Sequence, residues 1–451
     1  MKRRTSLQMA FTGMGASVLS EIQPWMLSAA SSANPLSPKT PHFAPKAKRV
    51  IFLCMNGGPS HVDTFDYKPS LIKDHGKKSR YGRELLKPVV PFKQRGKSGI
   101  WISDLFPELS KQADDMCLVR GMHCNGPNHP QAMTQLHTGN FQFVRPSLGA
   151  WILYGLGTAN DSLPGFITIN PSRSAQNFGS AFLPAIYQGT KINSGGGRRA
   201  PQGSQEFPDI SNARLNDKDQ RSQLEFIQKL NKGSLKKYKE HAGVEGMIES
   251  YELAYRMQSA MPEVMKVDDE PQKVKDMYGI GSGPADTFGR QCLLARRFAE
   301  SGVRFIEIAT GNWDHHANLD TSLQATTEAI DKPMSGLIED LKRKDMLKDT
   351  LIVWGGEFGR TPDSVRGNGR DHNPKGFTTW MAGGGVKGGM SYGGTDEHGF
   401  ESVEGRCHIH DWHATMLHLL GLDHEKLTYN YGGRDFRLTD VYGTVAKKII
   451  S

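Results

Sequence analysis

The sequence predicts an α/β fold in which a doubly wound, mostly parallel sheet is sandwiched between helices. Short apolar segments at residues 49–55, 116–122, 165–169, 303–309, 350–354 and 378–382 are typical of buried strands. Helical patterns lie at residues 105–116, 285–301, 321–344 and 411–420. Strands that alternate with helices favour a parallel sheet covered on both faces. Such sheets bind ligands at the carboxyl ends of their strands, so we expect the functional residues there.

Length and composition fit a folded globular protein. The chain has 451 residues, of which 37% are hydrophobic and 23% are charged. These values exclude a wholly disordered chain, a collagen-like fibre and a coiled coil. No run of about 18 apolar residues occurs, which excludes a multi-span membrane protein. The five cysteines are too few and too scattered for a disulfide scaffold.

The charge of the chain favours an anionic partner. The formal net charge is +9, a mild excess that suits an anionic small molecule, a polysaccharide ester or an anionic surface. No dense block of Lys and Arg with interleaved aromatic residues occurs. A nucleic acid is therefore not predicted as the partner.

Residues 1–33 resemble a twin-arginine export signal. Arg3 and Arg4 precede a weakly apolar stretch at residues 7–19, and residues 31–33 form a small-x-small cleavage signature. We expect cleavage after Ala33, a flexible leader over residues 34–45, and a periplasmic or extracellular location. The alternative is a disordered basic tail.

Residues 46–451 are predicted to form one α/β domain with two insertions. Residues 171–217 are rich in Gly, Ser, Asn and Arg and are expected to form a loop-rich surface insertion that can serve as a lid. Residues 223–267 form a long polar stretch with helical spacing and are expected to be a helical insertion.

Candidate metal ligands follow the predicted strands. Asp314 and His316 come after the strand that ends at Ala309, and their i, i+2 spacing in an extended chain lets both face one ion. The adjacent pair Asp371 and His372, in a predicted loop, can place two donors around a second ion. Carboxylates and imidazoles suit a borderline divalent cation such as zinc. Two ions about 4 Å apart can clamp the attacking and leaving oxygens of a phosphoryl-type or sulfuryl-type transfer.

Charged residues near these positions have two interpretations each. Arg360 and Arg370 can hold an anionic ester bidentately, or they can form salt bridges. Glu357 can be a metal ligand, or it can accept a hydrogen bond that orients a histidine.

Four of the seven tryptophans are expected to be packing residues, namely Trp151, Trp313, Trp354 and Trp380.

Five motifs, in this order, resemble an uncharacterised sulfatase-like family, the domain of unknown function 1501, of the alkaline phosphatase superfamily. They are Gly57-Gly58-Pro59-Ser60-His61-Val62-Asp63, Trp313-Asp314-x-His316, Gly356-Glu357-Phe358-Gly359-Arg360-Thr361-Pro362, Gly369-Arg370-Asp371-His372 and His410-Asp411-x-His413-Ala414-Thr415. The resemblance runs from about Lys46 to the C-terminus. It implies an alkaline-phosphatase/sulfatase-like sandwich that binds two divalent metals, or one calcium as in sulfatases. The expected cofactor is therefore a divalent metal, zinc or calcium.

The resemblance also implies a set of ligands. Carried over to this sequence, they are Asp63, Asp314, His316, Asp371, His372 and either His408 or His410. Asp63, or alternatively Asp66, is included because Asn56 stands where the superfamily usually has an Asp ligand after the first strand.

The motifs depart from those of sulfatases at the nucleophile. The Cys/Ser-x-Pro-x-Arg motif, whose first residue becomes formylglycine, does not occur in the sequence. Residues 128–139 resemble the helix that carries the nucleophile, but they begin with Asn128 and His129. We therefore expect an exported metal-dependent hydrolase of a sulfate or phosphate ester. In it His129 protonates the leaving oxygen and Arg360 or Arg370 neutralises the anion. The alternative is a non-catalytic, metal-containing protein that binds an anionic polysaccharide.

Overall fold

The computed structural model describes residues 34–171, 174–194, 205–206, 215–238, 242–281, 283–365 and 367–451. The export signal predicted for residues 1–33 lies outside this part of the chain. So do residues 172–173, 195–204 and 207–214 of the predicted loop-rich insertion.

The strands and helices follow the alternation that the sequence predicts. The strands are β1 Arg49–Met55, β2 Phe92–Arg95, β3 Ile100–Ser103, β4 Met116–His123, β5 Phe166–Ile169, β6 Thr190–Ser194, β7 Gln205–Glu206, β8 Phe305–Thr310, β9 Thr350–Gly355, β10 Gly359–Val365, β11 Gly369–Asn373, β12 Phe377–Ala382, β13 Met390–Tyr392, β14 Gly394–Thr395, β15 Ser402–Glu404, β16 Cys407–His408, β17 Tyr429–Tyr431 and β18 Arg434–Phe436. The α-helices are α1 His61–Thr64, α2 Pro69–Lys73, α3 His129–Thr138, α4 Leu148–Leu156, α5 Asp217–Tyr238, α6 Ala242–Met265, α7 Gln272–Met277, α8 Asp286–Glu300, α9 Leu319–Arg343 and α10 Ile409–Leu419.

The central sheet is mixed but mostly parallel. Its order is β13–β4–β12–β9–β1–β8–β5–β6–β7, with β16 beside β4. Strand β1 is parallel to both β8 and β9, and β5 is parallel to β8 and β6. Strand β12 is antiparallel to both of its neighbours, β4 and β9. The predicted fold class is confirmed.

The register of the central strands places their carboxyl ends at one edge. Met55 of β1 lies opposite Thr310 of β8, and Cys54 lies opposite Gly355 of β9. The segments that leave β1, β8 and β9 therefore start side by side. This edge is where ligand-binding residues gather in parallel α/β sheets.

Apolar residues cover both faces of the sheet. Alternate residues of β1 point to opposite faces, as the period of a strand requires. On one face Val50 and Phe52 pack in a core that includes Trp412 of α10, and on the other Ile51 packs in a core that includes Leu337 of α9. Trp151, Trp313, Trp354 and Trp380 are buried, which confirms that they are packing residues. The five cysteines are buried, unpaired thiols.

Two predicted helical segments differ from the structure. The helix predicted at residues 105–116 is a 3-10 helix over Leu109–Asp115. Pro107 accounts for the late start, because the residue before a proline disfavours the α conformation. The helical insertion consists of two helices, α5 and α6. None of the helices in the described ranges combines the length and apolar character that a membrane span needs.

Candidate metal centre

Asp314 and His316 lie in the segment that leaves β8 and passes close to the end of β1. Gly57, the second residue after β1, has a φ of +117°, and a Cβ there would lie 2.7 Å from the backbone nitrogen of Asp314. Only glycine accommodates both the positive φ and this close approach. The segment after β1 therefore sets the position of Asp314.

His372 lies on β11, which pairs with β10 in an antiparallel hairpin. Arg360 and His372 are directly opposite each other in this pairing, so their side chains lie on the same face. The prediction that Asp371 and His372 lie in a loop is wrong, because both residues belong to β11. Neighbouring residues of a strand point to opposite faces, which separates the two side chains. The Asp371 carboxylate pairs with Arg83 at 3.1 Å and approaches the cluster only at Nδ1 of His316, at 4.0 Å.

His129 is the first residue of α3. Asn128 caps this helix by accepting a hydrogen bond from the backbone N–H of Gln131 at 3.2 Å. Nδ1 of His129 lies 2.6 Å from Oε1 of Glu357, which is buried and also accepts the backbone N–H of Gly57. Of the two interpretations of Glu357, the contact matches the one in which it orients a histidine.

Four side chains converge at this edge of the sheet: His129, Asp314, His316 and His372. One ligand atom from each lies within 4.8 Å of the others. Oδ1 of Asp314 is 3.2 Å from Nε2 of His129, 2.9 Å from Nε2 of His316 and 3.6 Å from Nε2 of His372. The two Nε2 atoms of His316 and His372 are 3.1 Å apart. We call these four residues the imidazole cluster.

The donor set fits a zinc ion. Two ligands of a tetrahedral zinc site, each about 2.1 Å from the ion, lie about 3.4 Å apart, close to the spacing within the imidazole cluster. Nε2 of His129 is buried, and its contact with Oδ1 of Asp314 at 3.2 Å lacks the geometry of a hydrogen bond. A buried polar atom is costly unless it is well paired, so this nitrogen is available to a ligand. Three imidazoles and one carboxylate suit zinc, whereas calcium prefers oxygen ligands throughout.

Arg360 is buried beside the imidazole cluster, and its donors are already engaged. Nη2 lies 2.6 Å from Oδ1 of Asp314, and Nη1 lies 3.4 Å from Nε2 of His316. The remaining N–H groups point to the backbone carbonyls of Gly57, Gly58 and Arg370. An anionic ester can reach Arg360 only by replacing Asp314 or His316 as a partner.

The charges around the cluster favour the cation-binding forms of two ligands. Burial by itself raises the pKa of Asp314, but the hydrogen bond and charge of Arg360, with His129, lower it to about 2. Burial lowers the pKa of His372, and the positive charge of Arg360 lowers it further. For His129 the effect of burial is outweighed by Glu357 and Asp314, which raise the pKa. Ionised carboxylates and neutral imidazoles are the forms that bind a metal.

Two residues of the imidazole cluster, His129 and Asp314, line an open cleft with a volume of about 740 Å³. Asn56, Glu357 and Phe141 are also among its lining residues. The cleft is large enough for a small organic ester beside the cluster.

Asp63 and Arg370 lie away from the imidazole cluster and pair with each other. Nε of Arg370 is 2.7 Å from Oδ2 of Asp63, and both side chains are fully buried. Asp63 also accepts the backbone N–H of Val89, and Arg370 donates to the carbonyl oxygens of Leu86 and Thr361. The ion pair of Asp63 and Arg370 therefore connects β11 to the segment after β1. The hydrogen bond of Arg370 to Leu86 connects β11 to the segment before β2.

His408 and His410 also lie apart from the cluster, at the start of α10. Nδ1 of His408 accepts the backbone N–H of His410 and caps the helix, while Nε2 of His408 is 2.6 Å from Oδ1 of Asn125. Nε2 of His410 lies 2.6 Å from the carbonyl oxygen of Gly139. Both residues line a second cavity and face local partners there.

A further group was not singled out from the sequence. Cys54, His137 and Glu307 lie together in the interior, all buried. The signal in the sequence was Glu307, a carboxylate in the middle of an apolar predicted strand. An acid at such a position needs a partner.

Solved structures of low identity resemble the chain over most of its length. The lipoteichoic acid synthase LtaP from Listeria monocytogenes is 10% identical, with 89% of this chain and 78% of that chain covered and a TM-score of 0.37. The PsFucS1 sulfatase from Pseudoalteromonas sp. is 13% identical, with 84% and 68% covered and a TM-score of 0.36. The C-terminal periplasmic domain of EcEptC from Escherichia coli, in complex with Zn, is 9% identical, with 86% and 88% covered and a TM-score of 0.35. Likenesses at this level carry no argument about activity or ligands.

The family of the chain follows from its sequence. No curated protein matches it significantly. Residues 47–450 match the family described as "Protein of unknown function (DUF1501)", a span that contains all five motifs and every residue of the imidazole cluster. The chain therefore belongs to the DUF1501 family.

Proposed function

We propose that the protein is a metal-dependent hydrolase of an anionic ester, a phosphate or a sulfate. The observation that carries this proposal is the convergence of the imidazole cluster, two of whose members, His129 and Asp314, line an open cleft. The donor set favours zinc as the cation. When bound, such a cation polarises the ester and makes water a stronger nucleophile.

The residues of the chain hold and orient this site. Glu357 keeps the ring of His129 turned so that Nε2 faces Asp314. This placement makes His129 a ligand, and a ligand nitrogen cannot also protonate a leaving group. Arg360 supplies positive charge next to the cluster and can move from Asp314 to an incoming anion.

The test is turnover of aryl phosphates and aryl sulfates by the zinc-loaded protein and by the His372→Ala variant. We expect hydrolysis of one class, with loss of both zinc and activity in the variant. His398→Ala is the control, because His398 pairs with Asp74 at 2.9 Å, away from the cluster. Intact zinc and activity in His372→Ala would contradict the site assignment.

The second candidate is a non-catalytic protein that binds an anionic polysaccharide. An aromatic surface favours it, formed by the exposed Phe143 and Tyr431 and the half-buried Phe182 and Phe436. The Phe182 ring stacks 5.1 Å from that of Tyr431, and the Arg145 guanidinium lies 4.5 Å from the Phe436 ring centre. Stacked rings beside arginines suit sugars that carry sulfate or phosphate groups.

Retention on a sulfated polysaccharide column distinguishes the two candidates. A binding protein holds zinc, turns over no ester, and is retained less after Tyr431→Ala. A hydrolase turns over an ester whether or not Tyr431 is present. Turnover of a small aryl ester by the wild-type protein would exclude the purely non-catalytic candidate.

We also propose export by the twin-arginine route. Arg3, Arg4 and the small residues at 31–33 support it, although they lie outside the described residues. Expression of the full chain should yield a periplasmic protein that begins at Asn34. Replacing Arg3 and Arg4 by lysine should leave the protein in the cytoplasm, and export of that variant would contradict the proposal.

A further inference from the structure

A second group of metal-ligating side chains lies in the interior. Cys54 belongs to β1, Glu307 to β8 and His137 to the last turn of α3. Their ligand atoms all lie within 4.8 Å of one another, and the exposed fractions of the three residues are 0%, 2% and 4% in that order. We call these three residues the buried triad.

The distances in the buried triad are those of zinc ligands. Nε2 of His137 lies 3.2 Å from Oε1 of Glu307 and 3.9 Å from Sγ of Cys54. In a tetrahedral zinc site, a nitrogen and an oxygen ligand lie about 3.4 Å apart, and a nitrogen and a sulfur ligand lie about 3.6 Å apart. Oδ1 of Asn56 accepts a hydrogen bond from the thiol of Cys54 at 3.5 Å, which makes it the candidate for a fourth donor.

The triad as it stands is incompletely satisfied. Oε2 of Glu307 is buried and has no hydrogen-bond partner in the described part of the chain. Nδ1 of His137 lies 2.8 Å from the carbonyl oxygen of Met133, to which it donates. Burial lowers the pKa of His137, but the charge and hydrogen bond of Glu307 outweigh it and raise the pKa, so a proton on Nε2 can fill the gap between the two side chains. In the neutral ring Nε2 is an acceptor that faces an acid and a thiol, and a metal cation can take the place of that proton.

A cysteine nucleophile is a poor explanation of the same residues. Cys54 is fully buried, so no substrate can approach its sulfur. Burial, together with the carboxylates of Glu307 and Glu357, raises the pKa of the Cys54 thiol, whereas reactive cysteines have lowered values.

We propose that Cys54, His137 and Glu307, completed by Asn56, bind a structural zinc ion. On binding, the thiol proton is released and the thiolate, the carboxylate and Zn²⁺ form a neutral group in the interior. This site is separate from the imidazole cluster. His129 and His137 are eight residues apart on α3, which corresponds to about 12 Å along the helix.

Cobalt substitution and metal analysis test the proposal. The full-length protein is produced with Co²⁺ in place of Zn²⁺, and its absorption spectrum and metal content are measured. We expect two ions per chain and a thiolate-to-cobalt charge-transfer band. Cys54→Ser should lose one ion and the band, while His372→Ala should lose one ion and keep the band.

Cys292→Ser is the matched control, because Cys292 is equally buried but lies in an apolar part of the core. It should keep the band and both ions. A wild-type protein without the band, or a band that survives Cys54→Ser, would overturn the proposal. In the former case the triad is an ion pair of His137 and Glu307 beside a neutral thiol.

If Cys54→Ser does not fold, a wild-type protein without the band still overturns the proposal, and His137→Gln, which should lose one ion and the band, replaces Cys54→Ser as the positive test. The outcome is also distinct from that of the proposed function. If the imidazole cluster bound no metal, the wild-type protein would hold one ion with the band, and His372→Ala would change neither.

Discussion

Glu357 and His129 form a carboxylate–imidazole pair, with Oε1 2.6 Å from Nδ1. Glu357 is held in turn by the backbone N–H of Gly57, which lies 3.0 Å from the same oxygen. The backbone after β1 therefore holds Glu357 in place, and Glu357 in turn fixes the orientation of the His129 ring at the start of α3.

Glu357→Gln should weaken zinc binding about 10-fold to 100-fold, because an amide holds the ring less firmly and makes His129 a weaker ligand. The measurement is a titration against a zinc chelator of known affinity. Glu397→Gln is the control, since 72% of that side chain is exposed. Equal affinities in the two variants would show that the Glu357 contact does not support the site.

Arg370→Met should destabilise the fold by about 3–5 kcal/mol, because it leaves the Asp63 carboxylate buried and unpaired. Urea denaturation measures this change. Lys78→Met is the matched control. The pair of Lys78 with Glu84 is exposed on both sides, so the loss should be about 0–1 kcal/mol. A loss below about 1 kcal/mol in Arg370→Met would contradict the buried pairing.

Gly57→Ala should both destabilise the protein and reduce its zinc content, because the added Cβ meets the backbone of Asp314. Gly281→Ala separates this clash from backbone strain. Gly281 also has a positive φ, +84°, but a Cβ there meets no atom within 4 Å. That variant should lose about 1–2 kcal/mol of stability and keep its zinc. Equal zinc content in both variants would argue against the close approach.

Stability should fall as the pH drops below about 6.5, partly through His413. Burial lowers the pKa of this ring to about 3. Between these pH values the unfolded chain binds a proton that the folded chain does not, so each pH unit costs up to about 1.4 kcal/mol per histidine. Urea unfolding in the presence of a chelator, from pH 7.5 to pH 5, measures the slope.

His413→Asn should make the fall of the unfolding free energy with pH shallower by an amount that corresponds to the uptake of up to one proton. This holds whatever the effect of the substitution on stability at pH 7.5. Identical slopes for the wild-type and variant proteins would show that His413 does not resist protonation in the folded state.

Much of the fold was predictable because each central strand is apolar on both sides. The segment at residues 49–55 shows this pattern, and it is β1 in the structure. The direction of a strand is not encoded in such a pattern. The antiparallel orientation of β12 therefore could not be read from residues 378–382.

The site was predictable where ligands directly follow a strand of the sheet, as Asp314 and His316 follow β8. It was less predictable where secondary structure decides which neighbour faces inward. His372 joins the cluster and Asp371 does not, because both lie on β11. Residue type alone could not separate Arg360, which reaches the cluster, from Arg370, which is buried against Asp63.

The four residues of the imidazole cluster come from distant parts of the chain, with His129 near one end of the span and His372 near the other. A nascent polypeptide has no complete coordination shell until synthesis has passed His372 and β1, β8 and β9 have paired. If the cluster binds the proposed ion, the ion is loaded late in biogenesis, after β1, β8 and β9 have paired. Fragments that end before β11 would emerge without it, however well their own helices form.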